Sequence, residues 1–241
     1  MPVIEPQRHD EHDERKDNGA DRYKFIHACS PVVLVVPLWF NNWHSLGVLG
    51  VLGGYTPPMK SLAGQFLVAS PHLKDPNFSR TVVLMLQHEE QGALGVIINR
   101  PGDKTVDDVW KMIGNDPVDT DEPVYVGGPV PGPLIALHNQ KEFAEKEIHP
   151  KLFMSMQKDA IDLLVRRTGA KYRLFSGHSG WGGGQLEEEM QVGGWLTSPA
   201  RVSDIFADPE GIWKRVCNEI GLRIVAPNLP DDQRPPDASL N

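Results

Sequence analysis

Cysteine is nearly missing from this chain: Cys29 and Cys217 are the only two in 241 residues. They lie too far apart for a Cys-x-x-Cys pair, which excludes a disulfide framework and any cysteine zinc site of ordinary spacing. A reducing, cytoplasmic setting is therefore expected. Basic charge is scarce as well. Against 32 Asp and Glu stand 24 Lys and Arg, a formal net charge of −8, and no Lys/Arg-rich face stands out. The footprint of a protein that neutralises nucleic-acid phosphates is missing, so direct nucleic-acid binding is not expected. Long apolar runs are also lacking. The charge-free stretch 25–58 invites a membrane reading, but Pro37, Asn41, Asn42 and His44 break it before the roughly 20 residues a span requires. The basic and apolar regions of a signal peptide would lie nearer the N-terminus. No membrane partner is expected.

What is present divides unevenly. Residues 1–24 hold seven acids and five bases with little apolar content, the composition of a disordered tail. Well-patterned sequence begins immediately after Met59. Residues 1–58 are therefore read either as an artefact of the assigned start or as an N-terminal extension, interfacial or partner-binding, ahead of a domain at 59–228. A Pro-rich tail, 229–241, is expected to be loose. With 1–58 set aside the net charge is −6, and the argument against nucleic acid survives.

Within the domain, "GQFLVAS" reads as a strand closed by Pro71. "RTVVLMLQ" and "ALGVIIN" read as a hairpin across the turn 88–92. Thr105 is placed to cap a helix presenting Val106, Val109, Trp110 and Ile113 on one face, with Asp108 at the capping-box position and Gly114 at its end. "VYVGG" and "LIALH" look like strands divided by a Pro/Gly turn. "KLFMS" leads into a helix starting near Ser155 and stopped by Gly169, and "YRLFSG" is a further strand. Asp208-Pro209-Glu210 is expected to cap a helix buried through Ile212, Trp213, Val216, Cys217 and Ile220, with Gly221 as terminator. Hairpins outnumber β-α-β crossovers, so the fold class is α+β, mostly antiparallel.

The stretch "GHSGWGGGQLEEEM", 177–190, looks most like chemistry. A nucleophile elbow needs Gly-x-Ser-x-Gly, and Trp181 occupies the position of the second glycine. A phosphate loop needs a Gly-Lys-[Ser/Thr] ending, and no lysine occurs between Lys171 and Lys214. A tight corner into a helix accounts for more: glycines 182–184 turn the chain, Leu186 and Met190 bury, and Glu187 and Glu188 look outward. Glu189, at the edge of the buried face, is the one expected to have a structural partner. His88 reads as a turn residue. His72, His138 and His178 have no metal spacing. "SMQK" at 155–158 matches Ser-x-x-Lys, which helix capping by Ser155 explains. No catalytic constellation, metal site or cofactor is expected.

Residues 71–101, "PHLKDPNFSRTVVLMLQHEEQGALGVIINRP", closely resemble the YqgE/AlgH family of bacterial proteins. The matching elements are Pro71, Leu73, Asp75-Pro76, Phe78, Arg80 to Val83, His88, Gly92-Ala93, Gly95 and Asn99-Arg100-Pro101. The likeness continues at Gly127-Gly128-Pro129-Val130 and from Gly177 to Glu189, and spans about 61 to 226. It departs at Gly183, where the family usually has proline or alanine. The resemblance implies one compact α+β domain with a strongly bent sheet and an unsettled biochemical activity. It also implies a link to transcriptional regulation without an obvious DNA-binding motif.

If the hairpin pairs as read, Thr81 lies opposite Asn99 and Arg80 opposite Arg100, so both arginines sit at its open end beside Asp75 and Phe78. Structurally, Asp75 would pair with one arginine. Functionally, two guanidiniums and one carboxylate leave donors for a protein partner or small acidic ligand. Arg80, read as the start of a buried strand, leans structural, and Arg100 functional. The binding surface so expected comprises Asp75, Phe78, Arg80, Asn99, Arg100, Gly127, Gly128 and Trp181. It suits a non-enzymatic regulatory or protein-interaction domain. The alternative is a hydrolase using Ser179 or a His-containing cleft.

Overall fold

A computed structural model of the protein describes residues 60–227; the expectations for 1–58, for a start at Met59 and for the tail 229–241 lie outside these residues. Eleven strands and five α-helices follow in the described chain. The strands are β1 (Gln65–Ala69), β2 (Val82–Glu89), β3 (Gly92–Ile97), β4 (Pro101–Thr105), β5 (Pro123–Val126), β6 (Ile135–His138), β7 (Lys146–His149), β8 (Leu152–Ser155), β9 (Tyr172–Ser176), β10 (Ser179–Gly182) and β11 (Trp195–Pro199). The helices are α1 (Val106–Met112), α2 (Lys158–Val165), α3 (Gln185–Gln191), α4 (Val202–Ile205) and α5 (Ile212–Val225).

The first sheet has the order β10-β3-β2-β1-β11 and the second β4-β5-β9-β6-β8-β7. Every pairing is antiparallel except β5 with β9. This is the expected α+β fold, in one domain. Side chains alternate across a strand, and here both faces of the first sheet are covered. Phe66, Val68, Leu84 and Leu86 face a central core shared with Tyr125, Leu137 and Phe175 of the second sheet and Val216 of α5. Leu67, Val83, Met85 and Ile97 face a second core closed by Trp181, Leu186 and Trp195. That double burial explains why "VVLML" reads as an unbroken apolar run. The far face of the second sheet is covered by α1 and α2 through Val106, Trp110, Ile161 and Leu164, and Trp110 Nε1 donates to Asp162 across the two helices at 2.7 Å.

The capping box of α1 is present in both directions: Asp108 N donates to Thr105 Oγ1 at 3.1 Å, and Thr105 N donates to Asp108 Oδ2 at 3.0 Å. Other expectations are corrected. Ser155 does not cap α2, whose N-cap is Gln157. It lies in β8, buried, with its hydroxyl on the Phe143 carbonyl and His138 Nε2 at 3.0 Å. Gly221 does not end the last helix, which runs through it to Val225 and is preceded by the N-cap Gly211 in a left-handed conformation. Asp208 instead accepts from Glu210 N at 2.9 Å, a turn ahead of the helix. The two strands expected from "VYVGG" and "LIALH" are present as β5 and β6, with β9 between them in the sheet. The hairpin turn is tighter than 88–92, since His88 and Glu89 still pair with Ala93 and Gly92.

Candidate functional site

The two glycine motifs meet. Gly127 N donates to Ser176 O at 2.9 Å, Ile97 N donates to Gly127 O at 2.8 Å, and Val130 and His178 exchange backbone bonds at 3.0 and 2.9 Å. Gly128, at φ +154°, lies so close that a Cβ would overlap the backbone of His178 and Ser179. Close approach of two segments of the chain, rather than a ligand, demands glycine at this position. Ser179 is fully buried, and its hydroxyl donates to Gly127 O at 3.1 Å. His178 precedes it and faces the other way, its ring against Gly132 and Gly180; burial lowers its pKa.

At the closed end of the β2–β3 hairpin, His88 is buried. Its Nδ1 accepts from Leu62 N at 3.1 Å, so its proton is on Nε2, 2.8 Å from Glu187 Oε1. Glu187 therefore has a partner, contrary to the outward placement expected of it. Glu189 Oε2 accepts from both Trp181 Nε1, at 3.0 Å, and Trp195 Nε1, at 2.8 Å. The two indoles stand edge to face with centroids 5.8 Å apart, and Phe78 packs on both at 6.0 and 5.3 Å. Loop 71–79 is thereby anchored through one aromatic side chain.

At the open end, the pairing Val83↔Ile97 is followed by Ile98 N, which donates to Val82 O at 2.9 Å; Arg80 and Arg100 lie beyond the paired strands. Asn99 stitches this end: its Oδ1 accepts from Val82 N at 2.9 Å and its Nδ2 donates to Arg80 O at 3.0 Å. Arg80 does not begin the buried strand. It is exposed at φ +57°, with its Cζ 5.9 Å from the Trp213 ring. Arg100 is partly buried and donates from Nη1 to Asn77 O at 2.7 Å. Burial lowers its pKa, and the nearby charge of Asp75 opposes that shift. Asp75 makes a local turn with Asn77 N at 2.7 Å, and among the described residues neither arginine is ion-paired.

The remaining reactive groups are engaged. His138 is fully buried between Ser155 and Gln140 N, and desolvation lowers its pKa. Burial pushes the Cys217 thiol up to about 11, which keeps it from being a thiolate. Among the described residues no group of His, Cys, Asp or Glu could hold a metal ion, and no helix is long and apolar enough to cross a membrane.

Residues 66–225 match the AlgH-like family, DUF179. The chain belongs to that family. A UPF0301 protein of Burkholderia vietnamiensis is 41% identical over 159 residues, covering 62% of this chain and 82% of the relative. One from Myxococcus xanthus is 37% identical over 169 residues, covering 68% and 93%. Among solved structures, the AlgH protein of Pseudomonas aeruginosa is 31% identical with a TM-score of 0.58, over 71% of this chain and 99% of that one. Protein DIP2367 of Corynebacterium diphtheriae, at 24% identity and TM-score 0.54, covers 68% and 90% and shares the fold.

Of the sequence-expected surface of this AlgH-like domain, the fold brings Asp75, Arg80, Asn99 and Arg100 to one end of the hairpin. Gly127 and Gly128 follow closely, since Val126 N donates to Arg100 O at 2.9 Å. Phe78 and Trp181 lie in the core beneath loop 71–79. The His88–Glu187 pair, 99 residues apart in sequence, had no local trace.

Proposed function

We propose that this AlgH-like domain is a non-enzymatic, cytoplasmic regulatory or protein-interaction module whose contact surface is the open end of the β2–β3 hairpin. Its partner presents an acidic group to Arg80 and Arg100. Any link to transcription then runs through a protein contact, without direct nucleic-acid binding. One observation carries the reading: Asn99 ties the backbone of Arg80 to the segment that carries Arg100, neither arginine is ion-paired among the described residues, and Arg80 is exposed in a left-handed backbone. Strain of this kind, of order 1 kcal/mol, persists where the surrounding structure enforces it, and Asn99 does so from the opposite strand. Gly128 and Val130 continue the surface above the buried Gly127, with Phe78 and Trp181 holding its loop from below.

A hydrolase built on Ser179 or a histidine cleft is disfavoured, because the Ser179 hydroxyl is sealed against Gly127 O and the His88 and His138 rings are hydrogen-bonded on both sides. Two measurements on the full chain test the proposal. Titration with a Glu-rich peptide should give saturable binding that Arg80→Ala and Arg100→Ala abolish. Ester and phosphate hydrolysis should be absent, and turnover lost in Ser179→Ala would overturn the assignment.

A further inference from the structure

Arg173 lies on β9, between β5 and β6, and is 7% exposed. Its Nη1 donates to Ile98 O at 3.2 Å and its Nη2 to Ala207 O at 2.8 Å, while its Cζ stands 4.1 Å from the Tyr125 ring centroid. A guanidinium carries five N–H donors, and these contacts use two of them. Among the described residues no carboxylate pairs with it. Buried charges are ordinarily paired; two carbonyls and a ring face compensate this one only in part.

The charges of Glu122 and Asp208 act on the guanidinium from nearby without pairing to it, and open space adjoins it. Arg173 lines a cavity of about 380 Å³ together with Thr120, Glu122, Lys171, Tyr172 and Phe206. Nη1 and Nη2 make one hydrogen bond each, and Nε makes none among the described residues. Lys171 adds a second cation, with Glu122 on the cavity wall and Asp208 near Arg173 as the carboxylates. Burial raises the Tyr172 phenol pKa, and a hydrogen bond with Thr120 opposes that shift. Phe206 supplies an apolar wall.

The geometry points to a binding site for a small organic anion, with a carboxylate or phosphate group seated against Arg173 and Lys171 and an apolar body against Phe206 and Tyr172. Its volume falls in the range of small-molecule sites, about 300–1,000 Å³. This site is separate from the open end of the hairpin and does not depend on the partner reading. The competing role for Arg173 is structural, tying the end of β3 to the segment after α4, in which case the cavity holds only water.

The test uses the full chain, with phenyl phosphate, benzoate and inorganic phosphate as probes and backbone amide shifts as the readout. Saturable shifts are expected at Thr120, Lys171, Tyr172 and Phe206, with phenyl phosphate binding about tenfold more tightly than inorganic phosphate because of its buried ring. Lys171→Glu, an exposed change that leaves the unliganded melt in place, should weaken binding about tenfold or more; Arg80→Ala should leave it unchanged. Arg173→Lys is the direct variant but risks the fold, so Lys171→Glu carries the decision. Absence of saturable shifts up to about 10 mM of every probe, or binding that survives Lys171→Glu, would overturn the site. Shifts confined to residues 75–80 and 99–100 would also overturn it and assign the anion to the hairpin end.

Discussion

The two ends of one hairpin are built on opposite principles. At the closed end polar groups come in matched sets: the His88 ring is used on both nitrogens, and one carboxylate, Glu189, satisfies two indoles. At the open end the charges are all of one kind except Asp75, which spends an oxygen on its own turn. Matched polar groups rigidify a core, whereas unmatched donors at a surface are free to recognise something. The closed end therefore reads as scaffold and the open end as contact, although both belong to motifs that look equally distinctive along the chain.

The sharpest way to break this contrast is to remove the shared acceptor. Glu189→Ala strands two partly buried indole N–H groups and should cost about 2–4 kcal/mol in chemical denaturation; Glu189→Gln, which keeps one accepting oxygen, should lose less. A cost under about 1 kcal/mol for the alanine would mean that water replaces the carboxylate and the closed end is not a lock. Next in size is His88→Leu. It fills the space but deprives Leu62 N of its buried acceptor, with an expected loss of about 1–3 kcal/mol. Amide exchange at Leu62 should accelerate, and an unchanged exchange rate would show that the 60–64 segment is held by other contacts.

How much of this was legible depends on whether the determinant was local. The α1 capping box was, because Thr105 and Asp108 stand three apart. The hairpin was only in part: two β-branched runs around a polar turn announce it, but the one-residue shift between Met85 and Gln87 leaves no mark in an unbroken apolar run. Strand β10 was not: Ser-Gly-Trp-Gly has poor strand propensity, and its pairing comes from β3, where Gly95 is needed because a Cβ would come within 2.6 Å of Val83 Cγ1. Strand β4 begins with a proline and is polar, which suits only a sheet edge, and edges carry little apolar pattern. Ser155 was misread for the same reason. Its position before a helix is a local cue, but the partners that claimed it, Phe143 O as acceptor and His138 Nε2 as donor, are supplied by the fold.

A third prediction probes how the open end is held. Asn99→Ala removes the bonds to Val82 N and Arg80 O and should cost about 1–2 kcal/mol, and it should weaken Glu-rich peptide binding as well, because Arg80 loses the support for its left-handed backbone. Loss of stability with binding intact would uncouple the two and leave Asn99 as a strand clip only.

The smallest stability effects, and the most informative signs, belong to the arginines. The expected division made Arg80 structural and Arg100 functional, on the ground that Arg80 begins a buried strand; the geometry removes that ground. Arg100 is the one tied inward, to Asn77 O, so Arg100→Ala should lose up to about 1 kcal/mol. Arg80 at φ +57° should respond in the other direction. A non-glycine residue in that region carries roughly 1 kcal/mol of strain, which Arg80→Gly relieves, while the exposed contact with Trp213 is worth about 0.5–1 kcal/mol. The net change in the melt should be near zero or slightly stabilising. Binding of the Glu-rich peptide should nevertheless fall by about tenfold or more, since a charge-assisted contact is gone. A variant that is as stable as the parent but no longer binds would place Arg80 at the contact. A clear loss of stability in Arg80→Gly would instead make the cation over Trp213 part of the scaffold and erase the difference between the two ends.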